Sequence, residues 1–402
     1  MKVFVLISYN KTLPSNDGFS ISNVIENTID YFILKENLGK MKYIIVSSYK
    51  KGIINRKNFR YVNPGNIISY LIVLLTKTLL SKRLQRKYFY SIERINIQYT
   101  IALVIFIFKN ISKKDIILYH GSSNSLLLFS MLFPGYKFIY YRHGGSISQW
   151  KKEDKDRILK LCKGRIIHVS NTTYAQIKKD YNNGIVINNG LNKESFKFYN
   201  QNRISIRKNI RATYSIKEDE LVCFMGGAIW KPKGYHMALN ALARYSRDSS
   251  VLMIAGDINN ADQDYVKELL ELSDERCRMI FLGKLNKKKL YETIVSSDIG
   301  MQLSIPSLVT EGISIILLEM IFLKLPVIVS NSGGNTEVIT NHDNGFVVDE
   351  NGMVKNIIEK LKLLESKTLR ARISKMAGQR ANEKFNSEVM AEKLYKYLIK
   401  QF

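Results

Sequence analysis

Four short stretches of this chain set glycine beside charge at points where a strand should end. The first is Gly226-Gly227-Ala228-Ile229-Trp230-Lys231-Pro232-Lys233-Gly234. Glycines let a backbone approach a ligand closely, and a helix opening after the turn presents unpaired N–H groups and a partial positive charge. Lys231 and Lys233 add two point charges, so the stretch suits a diphosphate, although it lacks the GxxxxGK[ST] spacing of a P-loop. The second is Glu311-Gly312-Ile313-Ser314-Ile315-Ile316-Leu317-Leu318-Glu319. A helix starting at Gly312 would put Glu311 at its mouth and Glu319 two turns in, on nearly the same face. Apolar neighbours predict that Glu319 is buried, and a buried carboxylate needs hydrogen-bond donors. Sugar hydroxyls are such donors, while the N–H groups of Gly312 and Ile313 could hold phosphate oxygens. The third stretch, Asn331-Ser332-Gly333-Gly334-Asn335-Thr336-Glu337, reads as another close-approach turn before a short helix. The fourth, Tyr141-Arg142-His143-Gly144-Gly145, places a histidine at a strand end with room beside it. Taken singly, each is also readable as a plain turn, a helix cap or a structural histidine.

Two runs of alternating elements must position these stretches. Val3–Ser8, Tyr43–Ser48, Ile116–His120, Lys137–Arg142, Arg165–Ser170 and Ile185–Asn188 read as strands, with helical patterns between most of them. Continuous apolar strands are what a parallel sheet covered on both faces requires. The pattern restarts with Leu221–Met225, Val251–Ala255, Arg278–Leu282, Ile299–Leu303 and Pro326–Ser330. The expected fold is therefore α/β, with two doubly wound Rossmann-like domains facing each other across a cleft. We expect domains at 1–195 and 196–386, and a helix over 387–402 that packs back on the first domain. The linker region, Leu191 to Ser215, is polar and basic, with Arg203, Arg207, Lys208 and Arg211.

The length of 402 residues fits two domains of about 200 residues each, and 46% hydrophobic residues mark a globular chain. The net charge of +26 is unevenly spread. Residues 1–200 hold 32 of the 61 basic side chains but only 11 of the 35 acidic ones, a net of +21, which leaves +5 for the rest. A codon bias toward lysine would act on both halves alike. A basic half attracts phospholipid, nucleic acid or a phosphorylated acceptor. Cys162, Cys223 and Cys277 lie far apart, without metal spacing, and suit a reducing cytoplasm. No signal peptide is visible. The apolar runs Ile67–Leu80 and Tyr99–Phe108 are too short to cross a bilayer and read as buried helices or helices lying in a membrane interface. Lys77, Lys82, Arg83, Arg86 and Lys87 cluster beside the first run. No histidine pair has metal-ligand spacing and no Asp-x-Asp closes a strand, so neither metal nor cofactor is expected.

In order, the pieces resemble the retaining glycosyltransferases of family 4, which have the GT-B fold. Val169-Ser170-Asn171 with Asn188-Asn189-Gly190-Leu191 looks like that family's ending of the first domain. Gly226 to Gly234 resembles its diphosphate loop, and Phe281-Leu282-Gly283 its strand near the nucleotide base. Glu311 and Glu319 match its E-x7-E motif, and Gly333-Gly334-Asn335-Thr336-Glu337 its GGxxE turn. The resemblance runs from Val169 to Asp349. It implies that Lys233, with Gly227 and Lys231, holds the donor diphosphate and that Glu319 bonds the ribose hydroxyls. Glu311 with the backbone of Gly312, Ile313 and Ser314 would meet the donor sugar, and His143 would reach it from the opposite domain. The family's usual arginine is replaced by Ala228, with Lys231 as the substitute expected here. The first βα turn has Asp17-Gly18 in place of paired glycines, and Pro306 to Glu311 is one residue longer than common.

The reading that follows is a cytoplasmic, metal-independent hexosyltransferase at the inner face of a membrane. It would use a nucleotide-diphosphate sugar and a lipid-linked or oligosaccharide acceptor in surface-polysaccharide (lipopolysaccharide or capsule) synthesis. An epimerase or phosphorylase of the same fold is the nearest alternative. A nucleic-acid-binding protein would draw on Arg60-Tyr61 and Arg86-Lys87-Tyr88-Phe89-Tyr90. It leaves the glutamates and glycine turns unexplained, so no nucleic-acid partner is expected.

Overall fold

The computed structural model describes residues 2–7, 20–36, 41–48, 59–62, 94–121, 123–144, 151–179, 181, 183–245 and 249–401. The turn at Asp17-Gly18, the apolar run at 67–80 and the basic cluster beside it lie outside these residues.

Among the described residues, seven strands make the first sheet: β1 (Lys2–Ile7), β2 (Lys42–Ser48), β3 (Phe59–Val62), β4 (Ile116–His120), β5 (Lys137–Arg142), β6 (Ile166–His168) and β7 (Ile185–Val186). Their order is β3-β2-β1-β4-β5-β6-β7, all parallel, with Val3 opposite Tyr43 on one side and Ile116 on the other. Alternate residues serve two cores. Val3, Val5 and Ile7 join Tyr43, Ile45 and Leu118 on the face covered by α1 (Ser20–Glu36). Phe4, Leu6, Ile44 and Tyr119 join the face covered by α2 (Arg94–Asn110). Burial on both faces is why these strands carry no polar alternation. In the Tyr99–Phe108 run, Tyr99, Leu103 and Ile107 are fully buried in this core, whereas Phe108 is exposed. Among the described residues this half also has α3 (Ser123–Leu132), α4 (Lys152–Cys162) and α5 (Asn171–Lys178).

The chain then crosses over. The helices α6 (Glu194–Gln201) and α7 (Arg203–Thr213) pack on the second half, where Phe196 stacks on Phe322 with 5.0 Å between ring centres. Arg211 bonds Asp298 at 2.8 Å. The second sheet contains β8 (Leu221–Gly226), β9 (Ser250–Ala255), β10 (Cys277–Gly283), β11 (Ile299–Gln302), β12 (Val327–Ser330) and β13 (Phe346–Val348) in the order β10-β9-β8-β11-β12-β13. Its helices are α8 (Tyr235–Tyr245), α9 (Gln263–Leu272), α10 (Lys287–Ser296), α11 (Ile315–Phe322), α12 (Asn335–Val338), α13 (Met353–Leu363) and α14 (Lys367–Lys384). The last helix, α15 (Ser387–Ile399), returns to the first half, where Tyr395 packs edge-on against Phe32 of α1. The outgoing and returning segments touch: Leu191 N–H donates to Phe385 O and Ser387 N–H to Leu191 O, each at 2.9 Å.

Both sheets reverse strand order once, between β1 and β4 and between β8 and β11. Open α/β sheets bind ligands beyond the strand ends at such points.

Candidate active site

A cavity of about 540 Å³ lies between the two halves. His143, Asn189 and Val24 reach it from the first half. The second half supplies Gly226, Gly227, Ala228, Lys233, Lys284, Gln302, the run from Glu311 to Ile316, and Glu319.

The loop after β8 forms the floor. Gly227 has φ +131°, a conformation side chains disfavour, and its N–H donates to Ala255 O at 2.9 Å. One turn of 3-10 helix, Lys231–Lys233, follows before α8 begins at Tyr235. Three residues per turn send side chains two apart to different sides. Lys233 turns inward, with Nζ 2.5 Å from Glu311 Oε1. Lys231 turns outward and pairs with Glu268 at 2.9 Å, more than half exposed. Lys231, expected to stand in for the missing arginine at Ala228, is thus not among the residues that line the cavity. Lys284, just past β10, is a further cation in the lining.

The E-x7-E stretch also differs from its expected form. The helix α11 begins at Ile315, with Ser314 as its N-cap, so Glu311 precedes the helix and shares no helical face with Glu319. Tertiary contacts hold the intervening backbone outside the helix. Asn189 Nδ2 donates to Ile313 O at 3.0 Å, and a Cβ on Gly312 would sit 2.8 Å from His143 O. Glu311 accepts from Ser304 Oγ at 2.5 Å as well as from Lys233. Ser314 makes no side-chain cap, and Ser314, Ile315 and Ile316 line the cavity. The positive end of the α11 dipole thus opens onto it.

Deeper in, Glu319 is 4% exposed. Tyr291 OH donates to its Oε1 at 3.3 Å, and burial pushes its carboxyl up to about 7. Across the cleft, His143 Nε2 lies 2.9 Å from His120 Nδ1, and its ring stacks on Tyr141 at 4.8 Å. Burial lowers His143 to about 3, so this imidazole is neutral at physiological pH.

The GGxxE turn supports the cavity without lining it. A Cβ on Gly333 would meet Glu311 O at 2.0 Å and one on Gly334 would meet Gly312 O at 2.4 Å. Only glycine lets these backbones stack. Of the residues picked from sequence, His143, Gly227, Lys233, Glu311, Gly312, Ile313, Ser314 and Glu319 line one hollow, and Lys231 does not. Asn189, Gln302 and Lys284 were not picked. Lys284 follows the strand ending Phe281-Leu282-Gly283 and was readable as a strand-end residue. Asn189 was read only as part of the motif that ends the first domain, and Gln302 carries no local signal.

Residues 206–380 match the family model described as glycosyl transferases group 1. An uncharacterized glycosyltransferase of Methanocaldococcus jannaschii is 29% identical over 192 residues, covering 48% of this chain and 45% of that protein. A capsular polysaccharide biosynthesis glycosyltransferase of Staphylococcus aureus, CapM, is 35% identical over 85 residues, 21% of this chain and 22% of the relative. In both, the matched stretch spans less than half of the relative's own length. The crystal structure of HepE from Anabaena, in complex with UDP and glucose, superposes with a TM-score of 0.70 at 15% identity, covering 99% of each chain. The fold is GT-B.

Proposed function

We propose that this protein is a retaining glycosyltransferase that moves a sugar from a nucleotide-diphosphate donor to a glycan acceptor. One observation carries the reading: Lys233, the uncapped α11 N-terminus and the buried Glu319 converge on one cavity opposite His143. The diphosphate would lie against Gly227, Lys233 and the backbone of Gly312 to Ser314. There a fixed cation and a helix dipole stabilise the charge that builds on the leaving group. Glu319 would accept hydrogen bonds from the ribose hydroxyls, which supply the donors its burial denies it. His143, neutral and held by His120, would contact the sugar as a hydrogen-bonding group. Glu311 would sit between sugar and diphosphate, releasing Lys233 to the phosphate oxygens. The chemistry requires no metal, because Lys233 and the helix terminus carry the neutralising role.

For the acceptor we propose a lipid-linked or oligosaccharide chain in surface-polysaccharide synthesis, met at the cytoplasmic face of an anionic membrane. The net charge of +21 on residues 1–200 and the likeness to the capsular enzyme support this. No helix among the described residues is long and apolar enough to cross a membrane.

Calorimetric titration with nucleoside diphosphates, followed by anomeric analysis of the product, tests the proposal. Binding should be present in the wild type and lost in Glu319→Ala with the fold retained. An epimerised or phosphorolysed donor in place of a glycoside would overturn the transferase reading. Flotation with anionic liposomes tests the membrane part, and no flotation at low salt removes it.

A further inference from the structure

The third glycine stretch ends in a glutamate that the cavity does not use. Glu337 lies on α12, in the second half, and its carboxylate reaches the first turn of α5 in the first half. Oε2 accepts from Asn171 N–H at 2.9 Å and Asn171 Nδ2 at 2.8 Å. Oε1 accepts from Thr172 N–H at 3.0 Å and Thr172 Oγ1 at 3.2 Å. The next amide, Thr173 N–H, is taken by Ser170 Oγ at 3.1 Å within α5's own half. The first two amides of α5 are therefore capped by an anion from the other half of the molecule. Charge-assisted bonds and the helix dipole both favour that anion.

The carrier of Glu337 is itself fixed. Arg380 of α14 donates to Val338 O and Glu337 O, each at 2.8 Å. On its other side the same turn is in backbone contact with Glu311 and Gly312, through Gly333 and Gly334. The turn thus touches α5 at one end and the Glu311–Ser314 segment at the other.

We propose that Glu337 is a positioning residue: its bonds to α5 clasp the two halves together on this side of the cleft and so hold the Glu311–Ser314 backbone at its place opposite His143. The catalytic consequence rests on the function proposed above, whereas the clasp does not.

The test uses spin labels on Arg157→Cys of α4 and Glu359→Cys of α13, both exposed, in a chain whose own three cysteines are buried. Pulsed dipolar spectroscopy should give one narrow distance distribution for the otherwise unaltered chain. Glu337→Ala should broaden it toward longer distances, with faster amide exchange at Asn171 and Thr172. Glu337→Gln, nearly isosteric but offering one acceptor atom where the carboxylate offers two, should fall between and keeps the test alive if the alanine variant does not fold. An unchanged distribution with faster amide exchange would overturn the proposal, leaving Glu337 a local helix cap. In turnover with a nucleotide-sugar donor, kcat should fall about tenfold or more, while UDP affinity, for which the contacts proposed above (Gly227, Lys233, Gly312 to Ser314 and Glu319) belong to the second half, changes less than about twofold. A matching loss of UDP affinity would also count against a positioning role. Should the wild type bind no UDP, the nucleotide reading suffers and the distance measurement still decides the clasp.

Discussion

Glu319 allows a quantitative test of the cavity's electrostatics. An exposed glutamate titrates near 4.5, whereas burial pushes Glu319 up to about 7. Between those values the folded protein holds a proton that the unfolded chain has lost, so stability falls as pH rises. The loss begins near pH 4.5 and is complete above about pH 7. At about 1.4 kcal/mol per pH unit it amounts to about 3 kcal/mol. Glu319→Gln keeps the shape and remains neutral throughout. Its own effect on packing and on the Tyr291 hydrogen bond is the same at every pH, so the decisive quantity is how the difference between the two proteins changes. Urea unfolding at intervals from pH 4.5 to 8 should show the variant gaining about 3 kcal/mol on the wild type across the range. Nucleotide binding should report the same group with the opposite sense. Ribose hydroxyls donate to the ionised carboxylate, so wild-type affinity should rise from pH 5 to 7 and the variant's should not. Parallel stability curves for the two proteins would refute a buried, proton-holding Glu319.

The two lysines should separate cleanly. Lys233→Ala should weaken nucleoside-diphosphate binding by about tenfold or more, as expected for losing a charged contact, whereas Lys231→Ala should stay within about twofold in calorimetry. His120→Phe keeps a ring against Tyr141 but removes the bond to His143. It should lower the transfer rate about tenfold and leave nucleotide affinity unchanged. Because burial holds His143 near 3, its own titration should leave no limb near pH 6.5 in the rate profile. A limb that disappears in His143→Gln would contradict this. Gly333→Ala combines a φ of +54° with backbone atoms 2.0 Å from the new methyl. It should cost about 2–4 kcal/mol in denaturant unfolding and weaken nucleotide binding by displacing Glu311 and Gly312.

The strands that flank each reversal point were readable because burial on both faces leaves them continuously apolar, as in Val3-Phe4-Val5-Leu6-Ile7. The edge strands β3 and β13, of four and three residues, were not among those read. Glycine turns could be located because close approach leaves few other residue choices. Where they led was less visible. Helix periodicity run back to Gly312 missed the tertiary contacts from His143 and Asn189 that hold that backbone outside the helix. Equal weight on Lys231 and Lys233 assumed one direction for both, which the tight turn between them denies. Asn189 bonds a carbonyl 124 positions away, a relation that no local spacing encodes.

The return of α15 to the first half has a consequence for biosynthesis. Leu394, Tyr395 and Leu398 are buried against elements made long before them, and the whole second sheet is translated in between. Emerging segments ordinarily fold in the sequence in which they leave the ribosome. Here the first-made sheet must wait, with the apolar side of α1 uncovered, until residues 387–399 appear. The earlier half reaches its full core only after the later one has been made.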